Sequence, residues 1–184
     1  MGFRSSSSKR ILLTGPPGCG KTTVVRKVAD LLPGGASGFY TEEARDERGQ
    51  RIGFRVISLD GKRGELARKG PGPGPRVGSY LVNVKDFERV ALPLLSAEAG
   101  GVLLIDEIGK MECCSEEFVR RVEKVFEAET SILATIPLRG GGDFIETIRR
   151  RRDAETVLVT RENREALPEQ LAAKLSPLPK REPS

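Results

Sequence analysis

The stretch "ILLTGPPGCGKTTVV", residues 11–25, decides the fold. Three apolar residues, Ile11 to Leu13, run into Thr14 and Gly15. Pro16, Pro17, Gly18, Cys19 and Gly20 follow, and then Lys21, Thr22 and Thr23 open a second apolar run at Val24. A short buried strand thus turns through glycines into a helix. Glycines let successive backbone N–H groups point into one concavity, and a helix N-terminus adds partial positive charge. Gly15-x-x-x-x-Gly20-Lys21-Thr22 has the spacing of the Walker A phosphate loop in its required strand-to-helix context. Gly15 through Thr23 are therefore expected to bind the phosphates of a nucleoside triphosphate. Lys21 reaches the β- and γ-phosphates, and the Thr22 hydroxyl ligates Mg²⁺.

The partner of that loop is "VLLIDEIGKME", residues 102–112. A continuous apolar strand delivers Asp106 and Glu107 at its carboxyl end, where ligands of open α/β sheets sit. Asp106 is expected to hold Mg²⁺ through water, the usual Walker B duty. A second carboxylate beside the metal-holding one is not needed to bind nucleotide, but it can orient and polarise an attacking water. Glu107 is the candidate for that role. Lys110 reads equally as a phosphate contact or a solvated charge.

The spacing predicts strand over 10–14 and helix over 21–32, ended by Pro33-Gly34-Gly35. Strands near 38–44, 51–59 and 65–68 with turns at Asp46–Gly49 and Asp60–Gly64 read as antiparallel, and "GPGPGP" (70–75) as a loop. Helix is predicted over 84–98, strand over 102–105, and a helix capped by Ser115 with Glu116 and Glu117 in its first turn. Strand 132–136, helix 143–151, strand 157–159 and a helix within 163–175 complete the chain. The fold class is α/β: a P-loop NTPase with a mostly parallel sheet covered on both faces and an antiparallel β insertion after the first helix. Residues 1–9 read as a flexible leader, 10–175 as a single domain and 176–184 as a flexible tail.

Composition narrows the chemistry. The 184 residues suit one domain, with 38% hydrophobic and 5% aromatic content. A net charge of +5 from 31 basic and 26 acidic residues, interspersed, does not demand nucleic acid. The absence of histidine excludes histidine bases and His-ligated zinc, leaving carboxylates, Lys or Tyr as proton acceptors. Three cysteines, two of them adjacent, make a poor disulfide framework, so a reducing, cytoplasmic setting is expected. Apolar runs of four or five residues exclude a membrane span. Met1–Ser6 fits the loose myristoylation pattern, but a serine-rich leader explains it more simply. A monomer is expected.

Several blocks resemble one family, the small nucleoside-triphosphatases called thermophilic NTPases in archaea and bacteria and cancer-related nucleoside-triphosphatase in vertebrates. They are "GPPGCGKTT", "GFYTEE" with "GFRVISLDGKRGELAR", "VGSYLVNVKDFERVALPLL", "IDEIGKME", "LATIP" and "VTRENREAL", together spanning roughly residues 10–170. The resemblance implies a P-loop domain with a catalytic Glu and a strand inserted between the two motif strands. It implies slow, Mg²⁺-dependent hydrolysis of ATP, GTP, CTP, TTP and UTP to the diphosphate. It assigns Asp106 and Glu107 to metal and water, and Ile108, Gly109 and Lys110 to the nucleotide's surroundings. "GPGPGPR", "PLRGGGD" and Cys113-Cys114 depart from the family pattern, away from the motifs.

Two other classes share the phosphate loop. A small-molecule or nucleotide kinase would use "IRRRRD" (148–153) as a phosphate clamp, but needs no Glu107 aimed at water. A nucleic-acid-coupled ATPase would track phosphates with Arg149–Arg152, Arg120 and Arg121, yet lacks aromatic stacking residues. In "TRENR" (160–164), Arg164 is the candidate for stabilising developing charge, against a reading of Asn163 as a helix cap with exposed arginines. No Asn-Lys-x-Asp guanine reader is present, so weak base selectivity is expected.

Overall fold

The computed structural model describes residues 8–96 and 101–176. Most of the expected leader and tail lies outside those residues. Strand β1 (Arg10–Thr14) passes through the glycine-rich loop into α1 (Lys21–Leu31). Strands β2 (Ser37–Arg45), β3 (Arg51–Ser58), β4 (Arg63–Lys69), β5 (Arg76–Val77) and β6 (Tyr80–Val82) follow, then α2 (Val84–Ala91). The remainder alternates: β7 (Val102–Ile105), α3 (Glu116–Glu127), β8 (Ser131–Thr135), α4 (Asp143–Arg149), β9 (Glu155–Leu158) and α5 (Leu167–Leu175).

All these strands join one sheet in the order β5-β6-β4-β3-β2-β7-β8-β1-β9. From β2 to β9 the neighbours run parallel, while β2, β3, β4, β6 and β5 pair antiparallel in succession. The expected antiparallel insertion is thus a wing of the same sheet, hung on β2. Strand β8 stands between β7 and β1, so the acidic strand end and the phosphate loop share one carboxyl edge with a single strand separating them.

The parallel strands are continuous apolar runs because both their faces are covered. Leu12, Leu103, Ile105 and Ile132 join one core layer, whereas Ile11, Leu13, Leu104 and Leu133 join the other, as the two-residue period of a strand requires. Helices α1 and α5 cover the second layer through Val24, Val28, Leu167 and Leu171. Helices α2, α3 and α4 cover the first through Phe87, Phe118, Val122 and Ile148. Phe39, Phe87 and Phe118 meet edge-to-face, with centroids 5.2–6.1 Å apart, and lock β2, α2 and α3 together. Truncating any of the three to alanine is worth about 3–5 kcal/mol.

The caps behave as their sequence suggests. Ser115 Oγ accepts from the Phe118 N–H at 3.0 Å and donates to Glu88 at 2.6 Å, with Glu116 and Glu117 in the first turn of α3. Two helix ends and two strands differ from expectation, and the last two positions of the helix expected over 84–98 lie outside the described residues. Helix α2 stops at Ala91 and continues as a 3₁₀ turn over Leu92–Leu94, because Pro93 brings no N–H to the helix ladder. Helix α4 stops at Arg149, where Arg150 leaves helical geometry. Strands β5 and β6 were not foreseen at all.

Candidate active site

The phosphate loop is shaped by close approach. A Cβ on Gly15 would lie 2.6 Å from the Val159 carbonyl oxygen and 2.8 Å from Cys19 Sγ, so the first turn closes only on glycine. The Cys19 N–H donates to Pro16 O at 3.2 Å. Gly20, at φ 113°, swings the chain into α1, which opens with neither a side-chain cap nor an acidic residue. Its first N–H groups and its dipole are therefore left to an anion. Lys21 Nζ donates to Gly15 O (3.0 Å) and Pro16 O (3.4 Å), which lays the ammonium against the loop. Thr22 is half-buried and Thr23 exposed on the first turn of α1.

Asp106 follows β7 and is only 2% exposed. Its N–H donates to Phe39 O on β2 (3.0 Å), and Oδ1 accepts from the Thr135 hydroxyl on β8 at 2.6 Å. The peptide between Asp106 and Glu107 is cis. Burial pushes the Asp106 carboxyl up, opposed by Thr135, the Thr22 hydroxyl, the Thr41 N–H and the Lys21 charge. Thr22 stands near enough to favour the charged form, yet Asp106 Oδ2 completes no hydrogen bond and is buried. An orphaned carboxylate oxygen beside a threonine hydroxyl is a pair of hard donors that fits Mg²⁺. That ion keeps several waters and substrate phosphates and needs only one or two protein ligands.

Glu107 is half-buried next to Asp106. Burial raises its carboxyl, the Asp106 charge raises it further, and Lys21 lowers it. One lysine therefore acts on both carboxylates. Ile108 turns away from the site: it is fully buried, and its N–H donates to Thr135 O (2.9 Å). Gly109 is buried, and Lys110 is exposed on the rim of a pocket of about 320 Å³ that Glu107 shares with Thr41, Phe54 and Met111.

A second pocket, about 350 Å³, lies on the other flank of the loop. Pro16, Pro17, Leu138 and Leu158 give it mostly aliphatic walls, with Thr160 and Arg161 at the edge. Leu138 and Leu158 are exposed large apolar side chains. Arg164 reaches the loop from the turn after β9: its Cδ lies 3.1 Å from where a Gly20 Cβ would be, and Nε is 3.3 Å from Glu165. Asn163 is not the cap of a long helix. Thr160 and Asn163 bond reciprocally, side chain to backbone N–H, at 2.8 and 3.3 Å, and Asn163 also donates to Leu158 O. This box fixes the turn that carries Arg164, while α5 begins only at Leu167.

Comparison with known proteins gives the family. The NTPase family model matches residues 10–172. The chain belongs to the NTPase family. Among curated NTPase relatives, nucleoside-triphosphatase THEP1 of Thermotoga sp. (strain RQ2) is 44% identical over 160 residues, covering 86% of this chain and 90% of that protein. The human cancer-related nucleoside-triphosphatase is 43% identical, covering 87% and 93%. The crystal structure of THEP1 from Aquifex aeolicus superposes with a TM-score of 0.83 at 40% identity, covering 90% of this chain and 98% of that one. The human protein's solution structure gives 0.76 at 41% identity, covering 91% and 97%.

In this NTPase chain, the loop, Asp106, Glu107 and Arg164 are gathered at one sheet edge, with Ile108 set apart in the core. Sequence reasoning missed two participants. Thr135 ends a buried apolar strand, and a hydroxyl there is itself a signal. Glu112 is 4% exposed, and only folding brings it to Glu107. Two of the four arginines in the run, Arg149 and Arg151, are spent on structure, while Arg150 and Arg152 are exposed. Arg149 pairs with Glu146 and holds Pro137 O (2.6 Å) and Gly140 O (3.2 Å), anchoring the loop that carries Leu138. Arg151 pairs with Glu127 and Asp153. Glu42 and Glu43 are likewise engaged, with Arg26 and with Arg45 and Arg51. Among the described residues, no helix is long and apolar enough to cross a membrane.

Proposed function

We propose that this chain hydrolyses nucleoside triphosphates to the diphosphate and phosphate, with Mg²⁺ and little preference among ATP, GTP, CTP, TTP and UTP. The observation that carries the reading is the paired carboxylates Asp106 and Glu107 under the field of Lys21, one strand away from the phosphate loop. The names of its relatives agree: each is called a nucleoside-triphosphatase.

The loop N–H groups of residues 15–22 and the N-terminus of α1 receive the phosphates, and Lys21 moves its ammonium from the Gly15 and Pro16 carbonyls onto the β- and γ-phosphate oxygens. Thr22 and Asp106 would hold Mg²⁺, which would supply positive charge to offset that of the phosphates. Glu107 holds a water in line with the γ-phosphate and accepts its hydrogen bond. Arg164, beside Gly20, stabilises charge as the bond to the leaving diphosphate breaks. The aliphatic pocket at Leu138 and Leu158 sandwiches a base without reading its edge, which supports weak selectivity. The chain is taken to act as a monomer without needing nucleic acid, and a cytoplasmic setting suits its three free cysteines.

Phosphate release from the five triphosphates, with Mg²⁺ or EDTA and with no acceptor or RNA, tests the reading. Release from all five, with kcat/KM values inside about a hundredfold of each other, is expected. Release only when a hydroxyl acceptor or RNA is added would overturn it.

A further inference from the structure

Glu112 sits on the 3₁₀ turn Glu112–Cys114 that joins the loop after β7 to the cap of α3. That turn is tightly held: Cys113 N–H donates to Gly109 O (3.0 Å), Cys114 N–H to Met111 O (3.1 Å) and Ser115 N–H to Glu112 O (3.0 Å). The side chain is buried, yet among the described residues no lysine or arginine forms an ion pair with it. For packing alone, a leucine or methionine would serve better than an unpaired acid. The backbones of Gly109 and of Glu112 itself lie near enough to favour the charged carboxyl, in part against its burial. A Cβ on Gly109 would lie 2.7 Å from Glu112 Oε2 and 2.6 Å from Glu107 Oε1. The two carboxyls therefore converge on the one point that a glycine leaves open.

We propose that Glu112 is a positioning residue: its carboxyl, packed with that of Glu107 against the open side of Gly109, fixes the Glu107 carboxylate in the orientation that holds the attacking water. This rests on the reading of Glu107 given above. Burial and the Glu107 charge push Glu112 up to about 8. At neutral pH it carries a proton, giving Glu107 a neutral polar neighbour rather than a second negative charge.

The test compares Glu112→Leu, Glu112→Gln, Glu107→Gln and the double variant Glu107→Gln/Glu112→Leu, by steady-state kcat for ATP and by equilibrium binding of mant-ATP with Mg²⁺. Glu112→Leu is expected to lower kcat by about 10–100-fold, the scale of a catalytic group misplaced by an ångström, with mant-ATP affinity kept within about threefold. Glu112→Gln, neutral and of the same size, restores kcat to within about threefold of wild type. On the Glu107→Gln background, Glu112→Leu costs less than about twofold, because its effect passes through Glu107. Purely structural loss would instead carry over undiminished. Should Glu112→Leu fail to fold, Glu112→Met, unbranched and close to glutamate in length, takes its place in the same comparison and is expected to show the same kcat loss, again absent on the Glu107→Gln background. The role of Glu112 is overturned if Glu112→Leu folds and keeps wild-type kcat, or loses as much on the Glu107→Gln background, while Glu107→Gln alone is impaired. A Glu107→Gln protein with wild-type kcat is a different result: it removes the reading of Glu107 and this one with it.

Discussion

Replacing Glu112 by glutamine removes one proton-binding group from a buried position, and its effect on stability depends on pH in a direction the structure dictates. In the unfolded chain the carboxyl titrates near the ordinary glutamate value of 4.5, whereas in the fold it is raised to about 8. Between those values the native state binds a proton that the unfolded state has released. Rising pH therefore costs the wild type stability at up to about 1.4 kcal/mol per pH unit, beginning near the lower value and complete by the upper. Between pH 5.5 and 7.5 the loss amounts to roughly 2–3 kcal/mol. Glu112→Gln has no such proton to hold. The neighbouring ionisable groups are common to both proteins: Glu107 and Asp106 after β7, Lys21, Lys110, Cys113, Cys114, and Glu88 of α2 through Ser115. The stability difference between variant and wild type, measured by urea unfolding in EDTA at constant ionic strength, isolates Glu112. It is expected to move in favour of glutamine by about 2–3 kcal/mol between pH 5.5 and 7.5, or roughly 5–10 °C in Tm. A difference that stays constant across that window would mean that Glu112 is ionised in the fold, which refutes the reasoning.

Lys21→Ala is expected to lower kcat/KM by at least about 10²-fold, since one ammonium facing two phosphates is not replaced by water; steady-state phosphate release on a folded variant checks it. Thr22→Ala should raise the Mg²⁺ concentration for half-maximal activity by about tenfold or more, and overlapping metal titrations would remove Thr22 as a ligand. Arg164→Ala should reduce kcat by roughly 10²-fold with little change in Mg²⁺ requirement. An unchanged kcat would leave Arg164 as packing on Gly20.

What the sequence made legible is what is encoded locally. The strand, glycine loop, Lys-Thr and helix of residues 10–31 lie within one short window, and each part constrains the next. The apolar run before Asp106 likewise marks a strand buried on both faces, and Ser115 with its following glutamates marks a helix start. The features that were missed depend on distant partners. Strands β5 and β6 are only two and three residues long, and they form by pairing with β4 and each other and by burying Tyr80 and Val82 in the core. Arg149 and Arg151 look like a solvent-facing cation run until the 137–140 carbonyls, Glu127 and Asp153 are brought to them. Glu112 looks like a surface acid at the end of "GKME". Its burial follows from the 3₁₀ turn that folds it back beneath Gly109, and no residue spacing announces that. The aliphatic pocket joins the Pro16-Pro17 pair to Leu138 and Leu158, three stretches far apart in sequence until β8 and β9 flank β1.

The central claim is that Glu107 holds the water that attacks the γ-phosphate. A single-turnover measurement with enzyme in excess over Mg²⁺-ATP, quantifying bound ATP, ADP and free phosphate over time, addresses it directly. The wild type is expected to convert ATP to ADP and phosphate with no acceptor present. Glu107→Gln keeps the size and one acceptor oxygen but loses the charge. It is expected to bind Mg²⁺-ATP and return it largely intact, with hydrolysis slower by about 10²–10⁴-fold. Hydrolysis by Glu107→Gln at the wild-type rate, or a wild type that releases phosphate only when an acceptor is supplied, would contradict the account.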